Sequence, residues 1–184
     1  IARTISGADC PYPTDASNRV AYNEVMPALF WLDAYDESGA RLDFNLNDAY
    51  CSASDAPTIA FVIGAGWSPH CPDYKRALNE VRDQVAAANM RVVYVEIETI
   101  GGQPANNDEA NAIVNRTLTM DAGPSIRVGD GAVANSDRPF SRAVQAIPTA
   151  FVVRTSDMRV IASQARSSGR LDFVQISNNP DRLY

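Results

Sequence analysis

The chain has 184 residues, 46% hydrophobic and 21% charged, the balance of a folded protein with a sizeable core and not of a disordered one. A net charge of −6 and a pI near 4.7 weigh against nucleic acid as the main partner, because phosphate neutralisation needs clustered cations. The longest apolar stretches, 58–67 and 143–153, fall short of the roughly 18–20 residues that span a bilayer, so no membrane span is expected.

Residues 1–27 are rich in Pro, Asp, Asn and Ser, lack periodicity and read as an arm lying across the domain. Ile1 opens the chain with no basic or apolar leader, so an export signal or lipid anchor is expected to have been removed or left out. Ala28–Leu32 and the alternating Arg41–Leu46, joined through Asp36-Glu37-Ser38-Gly39, predict a β-hairpin. Pro57–Ile63 is almost wholly apolar, as a central strand buried on both faces would be. Leu78, Val81, Val85 and Ala88 carry helical spacing through Pro72–Met90, and Arg91–Ile97 follows as a strand. A crossover of that length implies a right-handed βαβ unit with parallel pairing.

Asn107 or Asp108 is placed to cap a helix running to about Met120. The irregular stretch 121–138 holds a short strand at Ser125–Val128. Thr149–Val153 and Arg159–Ser163 flank Thr155-Ser156-Asp157 as an antiparallel hairpin, and a weak helix is expected near Arg170–Ile176. The sum is a mixed α/β three-layer sandwich, with its site where the first buried strand hands over to its helix.

Of three cysteines, Cys10 (in Cys-Pro-Tyr-Pro) and Cys51 (in Tyr-Cys-Ser-Ala-Ser) sit in turn-like contexts, which suits a structural disulfide tying the arm to the domain. Two unpaired thiols, a lipidated Cys10 or pairing with Cys71 are the alternatives. Lys75 is the single lysine against fifteen arginines, a skew that reads as composition bias with little functional weight.

The strand-to-helix junction reads Gly64-Ala65-Gly66-Trp67-Ser68-Pro69-His70-Cys71, and Ile147-Pro148-Thr149 precedes the last hairpin. The first motif resembles the Trp-Cys-X-X-Cys of the thioredoxin superfamily and the second its Ile-Pro-Thr. The hairpin ahead of the core and the insertion before Pro148 are similar to the periplasmic TlpA-like branch. The resemblance covers about 25–176 and implies a thioredoxin-like domain over 28–184 with a central mixed sheet, an N-terminal hairpin and a cis-proline facing the site. It implies thiol–disulfide exchange with protein thiols or disulfides of a redox partner, in an extracytoplasmic compartment, without a cofactor. Ser68, Pro69, His70, Cys71 and Pro148 become the catalytic positions, and Trp67, Ile147 and Thr149 the substrate-binding ones. The family's buried carboxylate has no counterpart between Ile59 and Ile63; Glu96 or Glu98 on the next strand is the substitute.

A thiol at a helix N-terminus is stabilised as thiolate by unpaired backbone N–H groups and the positive end of the macrodipole. His70 is placed to donate to the attacking sulfur. That sulfur is missing: Ser68 carries a hydroxyl, a weak nucleophile with no evident base beside it. Three explanations stand: a Cys-to-Ser change introduced into the sequence, a naturally non-catalytic peptide-binding domain, or one-thiol chemistry at Cys71.

Other readings fit less well. Gly64-Ala65-Gly66 lacks the third glycine of a dinucleotide loop, since that position is Pro69; the two glycines instead permit close backbone approach. Ser68 and His70 do not form a hydrolase pair, and one His with three scattered Cys makes no metal site. A peroxiredoxin-like peroxidase would use Cys71, but its Thr-X-X-Cys pattern is absent.

Overall fold

The computed structural model describes residues 10–118 and 123–184. Strands β1 (Phe30–Asp36) and β2 (Arg41–Asn45) form the N-terminal hairpin, β3 (Thr58–Gly64), β4 (Met90–Glu96) and β5 (Ser125–Gly129) run parallel, and β6 (Thr149–Arg154) with β7 (Arg159–Ser163) closes the sheet antiparallel. The order is β2-β1-β5-β4-β3-β6-β7, which puts the end of β3 and the start of β6 side by side. The hairpin turn follows from its chemistry: Asp36 Oδ1 accepts from Ser38 N, Ser38 Oγ and Ala40 N, and Gly39 takes φ +84°.

Period-two alternation splits the core in two. Ile59, Phe61, Ile63, Val93 and Val95 face one side, against Met26, Leu29, Trp31 and Phe140. Ala60, Val62, Val92 and Tyr94 face the other, covered by the helices α2 (Cys71–Glu80), α3 (Arg82–Ala87), α4 (Asn107–Thr117) and α6 (Phe173–Asn178). The first face is covered instead by the arm and two short helices, α1 (Leu46–Cys51) and α5 (Pro139–Ala143). Each fully buried Phe, Ile or Leu on these faces is worth roughly 1.5–3 kcal/mol, so the sheet is held from both sides.

Four elements depart from the sequence reading. The Pro72–Met90 helix is two, because the N–H of Val81 turns back to Leu78 O in a tightened turn and Arg82 starts a new helix. The cap of α4 is Asn106, one residue earlier than expected, because it forms a capping box with Glu109. Asn107 is instead buried, where it donates to Leu32 O and accepts from Gly129 N. Cys51 lies at the end of α1 and not in a turn, since burial of Leu46 and Ala49 holds that short helix. The C-terminal helix begins at Phe173, capped by Asp172. The expected end of α4 near Met120 lies outside the described residues. Among those residues no helix is long and apolar enough to cross a membrane.

From Cys10 onward the arm packs as part of the core. Val20, Val25 and Met26 are buried, and Met26 N donates to Met158 O. Its surface anchor is Glu24, which accepts from Ser17 Oγ at 2.6 Å and Arg19 Nε at 3.2 Å. The hydrogen bonds from Arg19, then Ser17, lower the Glu24 carboxyl from its ordinary 4.5 to about 2. A depressed carboxylate pKa contributes stability above 4.5 and loses it as pH falls toward 2. Amide exchange in residues 17–26 is therefore expected to quicken over that window in wild type more than in Glu24→Gln, and equal profiles would dismiss the anchor.

Candidate functional site

The antiparallel register of β3 and β6 pairs Ile63 with Thr149, so Pro148, just before Thr149, falls beside Gly64, just after Ile63. The Ile147–Pro148 bond is cis. From Gly64 the chain turns through Ala65 and Gly66 into α2, pinned to β4 and its loop by Ile97 N to Gly64 O and Gly66 N to Glu98 O. Only glycine fits at 66: a Cβ there would lie 2.8 Å from Ile100 N and 2.9 Å from Thr99 C. This close approach holds the motif against the loop after β4, while the β3–β6 register sets it beside the start of β6.

Cys71 is the first residue of α2, a free thiol 1% exposed. Ser68 is 5% exposed, and among the described residues its hydroxyl has no hydrogen-bond partner, so no base activates it. Trp67 is 50% exposed and stands over the site, its Nε1 donating to Glu98 Oε2 at 2.7 Å. His70 is exposed at the N-cap of α2 with no side-chain capping bond. Among the described residues its imidazole has no hydrogen bond; the attacking sulfur expected to receive its donation is absent, Ser68 standing in its place.

Beneath the thiol lies a pair that the sequence reading undervalued. Lys75 Nζ is ion-paired with Glu96 Oε1, at 1% and 0% exposure. A Cβ on Gly64 would meet Cys71 Sγ at 3.2 Å and the two Glu96 oxygens at 3.3 and 3.4 Å, so thiol and carboxylate face the same point. Burial pushes the Glu96 carboxyl above the ordinary carboxylate range, against the pull of the Lys75 charge. The signal was available: Cys71, Tyr74, Lys75 and Leu78 form the buried stripe of α2, and a lone lysine on that stripe needs a buried acid. Lys75 thus lies beneath the thiol as the buried ion-pair partner of Glu96.

Trp67 and Ile147, from motifs far apart in sequence, line one open cleft of about 660 Å³. Ile97 and Val144 extend its apolar lining, while Glu98 and, from the insertion, Asp137, Arg138, Ser141 and Arg142 form its polar wall. Thr149, expected to contact substrate, does not line this cleft; it is buried at the start of β6. The wall is built by Asp130, fully buried, which accepts from Phe140 N, Ser141 N and Ser141 Oγ and so fixes α5. At the other end of the sheet, Met90 and Ser125 border a second cavity of about 570 Å³, far from this chemistry. Cys10 and Cys51 are disulfide-bonded with Cα atoms 5.9 Å apart.

No protein-family model matches the chain, and no curated protein does. Solved structures do. A thioredoxin from Wuchereria bancrofti is 21% identical, covering 80% of this chain and 92% of that one with a TM-score of 0.52. A thiol:disulfide interchange protein from a Bacteroides species is 11% identical, covering 90% of each chain at 0.53. A Plasmodium vivax 2-Cys peroxiredoxin is 9% identical, covering 88% of this chain and 97% of that one at 0.55. The chain has the thioredoxin-like α/β fold, with a mixed seven-stranded open sheet.

Proposed function

We propose that this chain is an extracytoplasmic thiol–disulfide exchange protein that recognises cysteine-bearing segments of other proteins and is halted at the first bond exchange by Ser68. The observation that supports the reading is the cleft shared by Trp67 and Ile147, which joins the two sequence motifs beside the start of α2. A hydroxyl at position 68 cannot replace the missing sulfur, and Cys71 is too buried to attack a partner itself. The chain as it stands therefore binds partners without turning them over.

With sulfur at position 68 the reaction balances as follows. Its thiolate attacks a partner disulfide, forming a mixed disulfide and releasing one partner thiolate. Cys71 then gives its proton to Glu96 and attacks the sulfur at 68, releasing the second partner thiolate and leaving the chain oxidised. Glu96 is the carboxylate placed to act as this base, since it faces the same point as Cys71 Sγ. Glu98 is engaged by Trp67 instead.

The test is Ser68→Cys. Reduction of insulin disulfides by that variant is expected to exceed the parent chain by at least about 100-fold, because thiolate replaces a weak hydroxyl nucleophile. Background turnover by a folded Ser68→Cys variant would reject exchange. Peroxide consumption by Cys71 in the parent chain would favour the peroxidase reading.

A further inference from the structure

The insertion wall carries an arginine with donors to spare. Arg138 Nη2 reaches Glu98 Oε1 at 3.4 Å and Ser141 Oγ at 3.2 Å, both long contacts from one nitrogen. Its Nε is buried without a partner, and among the described residues Nη1 has none either. Arg154, by contrast, grips Asp157 through Nε and Nη2 and donates Nη1 to Pro180 O, while Arg127, whose Nε is also buried without a partner, is 1% exposed and spends Nη1 on Asn111 and Asn115. Arg142, beside Arg138 on the same wall, is paired with Asp137. Of the two acids lining the cleft, Asp137 is taken by Arg142, and Glu98, the ion-pair partner of Arg138, spends its other oxygen on Trp67 at 2.7 Å.

The backbone holds this guanidinium in place. Arg138 sits at φ +47°, a left-handed conformation unfavourable for a residue with a side chain and more so before Pro139. Asp130 keeps the following residues in α5 and so maintains that conformation. An under-satisfied planar fork, held on the wall of an open cleft that also has an apolar lining, is complementary to a carboxylate carried on an extended chain.

We propose that Arg138 is a specificity-determining residue: the cleft takes an extended polypeptide segment with an apolar side chain over Ile97, Val144 and Ile147 and an acidic side chain on Arg138. This rests on the exchange reading and names the partner's chemistry. The incoming carboxylate takes the end-on edge of Arg138 and displaces its long contact to Glu98, whose bond to Trp67 remains.

The experiment uses short peptides with a central serine standing for the reactive cysteine, an apolar flank, and Glu scanned along the other flank against Gln at the same position. Binding is read from Trp67 fluorescence, since Trp31 is fully buried and stays constant. The best Glu peptide is expected to bind about fivefold more tightly than its Gln twin, with the gap narrowing as salt is raised. Arg138→Gly, which suits the positive φ, brings the ratio to one, and Arg138→Lys keeps part of it because charge remains without the fork. A ratio of one in the wild type, a ratio untouched by Arg138→Gly, or no binding of any peptide overturns the proposal. An active Ser68→Cys variant alongside any of these leaves the exchange reading standing, so the two can fail separately.

Discussion

Replacing Lys75 by Met is expected to cost about 3–5 kcal/mol, a large share of the roughly 5–15 kcal/mol that holds a domain together. The reason is the stranded partner and not the lost attraction. Glu96 is fully buried, its Oε2 has no hydrogen-bond partner, and Lys75 is its ion-pair partner. Arg116 acts on it only through its field, and Cys71 on the same face brings no positive charge. Without Lys75 the carboxyl must stay protonated or pay the full desolvation of an isolated charge. Its folded pKa then rises further above the ordinary 4.5. The native state holds a proton that the unfolded chain has already lost, so stability falls as pH rises through that window, by about 1.4 kcal/mol per unit. Urea unfolding of Lys75→Met is thus expected to differ little from wild type near pH 4 and greatly at pH 8. The double variant Lys75→Met with Glu96→Gln should regain most of the loss, because it leaves no unpaired charge. A pH-independent penalty, or a double variant as weak as the single one, would show that Lys75 matters only for packing.

How far the sequence discloses this molecule depends on whether an element's cause is local. The unbroken apolar run at Ile59–Ile63 and the turn residues around Gly39 carry their own explanation and are legible at once. So is the site motif, since a Trp, a Pro and a Cys at fixed spacing after such a strand leave few alternatives. Short helices are less legible. Helix α5 has five residues and exists because Asp130, ten positions away, caps it; α1 has six and rests on burial of Leu46 and Ala49. Partnerships across elements are the least legible. Lys75 shows only as a lysine out of place on an apolar stripe of α2, and its acid lies 21 positions on, at the end of β4. Arg138 reads as an ordinary loop cation until the fold sets it in the lining of one cleft with Ile147 and Trp67.

The Cys10–Cys51 bond is expected to contribute about 4 kcal/mol, the loop-closure value for a sequence separation of 41. Whether that loss falls on the whole domain or only on the arm depends on what the closed loop contains. Val20, Val25, Met26 and Leu29 lie inside it and belong to the same apolar cluster as Phe61 and Val93 of the central strands. Tyr12 donates to Met26 O at 2.9 Å and packs edge-on against Tyr50, next to Cys51. Val25 bridges to Arg159 of β7, on the far side of the sheet from the N-terminal hairpin. An arm so distributed cannot detach without opening the core, so the double variant Cys10→Ser with Cys51→Ser should shift the whole cooperative transition to lower urea. The transition should remain single, and Cys71→Ser should show no such shift. If instead the double variant unfolds at the wild-type midpoint while only the arm becomes protease-sensitive, the bond secures the arm alone. The same measurement governs how Ser68→Cys must be assayed. A reductant strong enough to recycle a new dithiol also threatens a bond whose Cys51 end is exposed, so activity and unfolding must be followed at one reductant concentration.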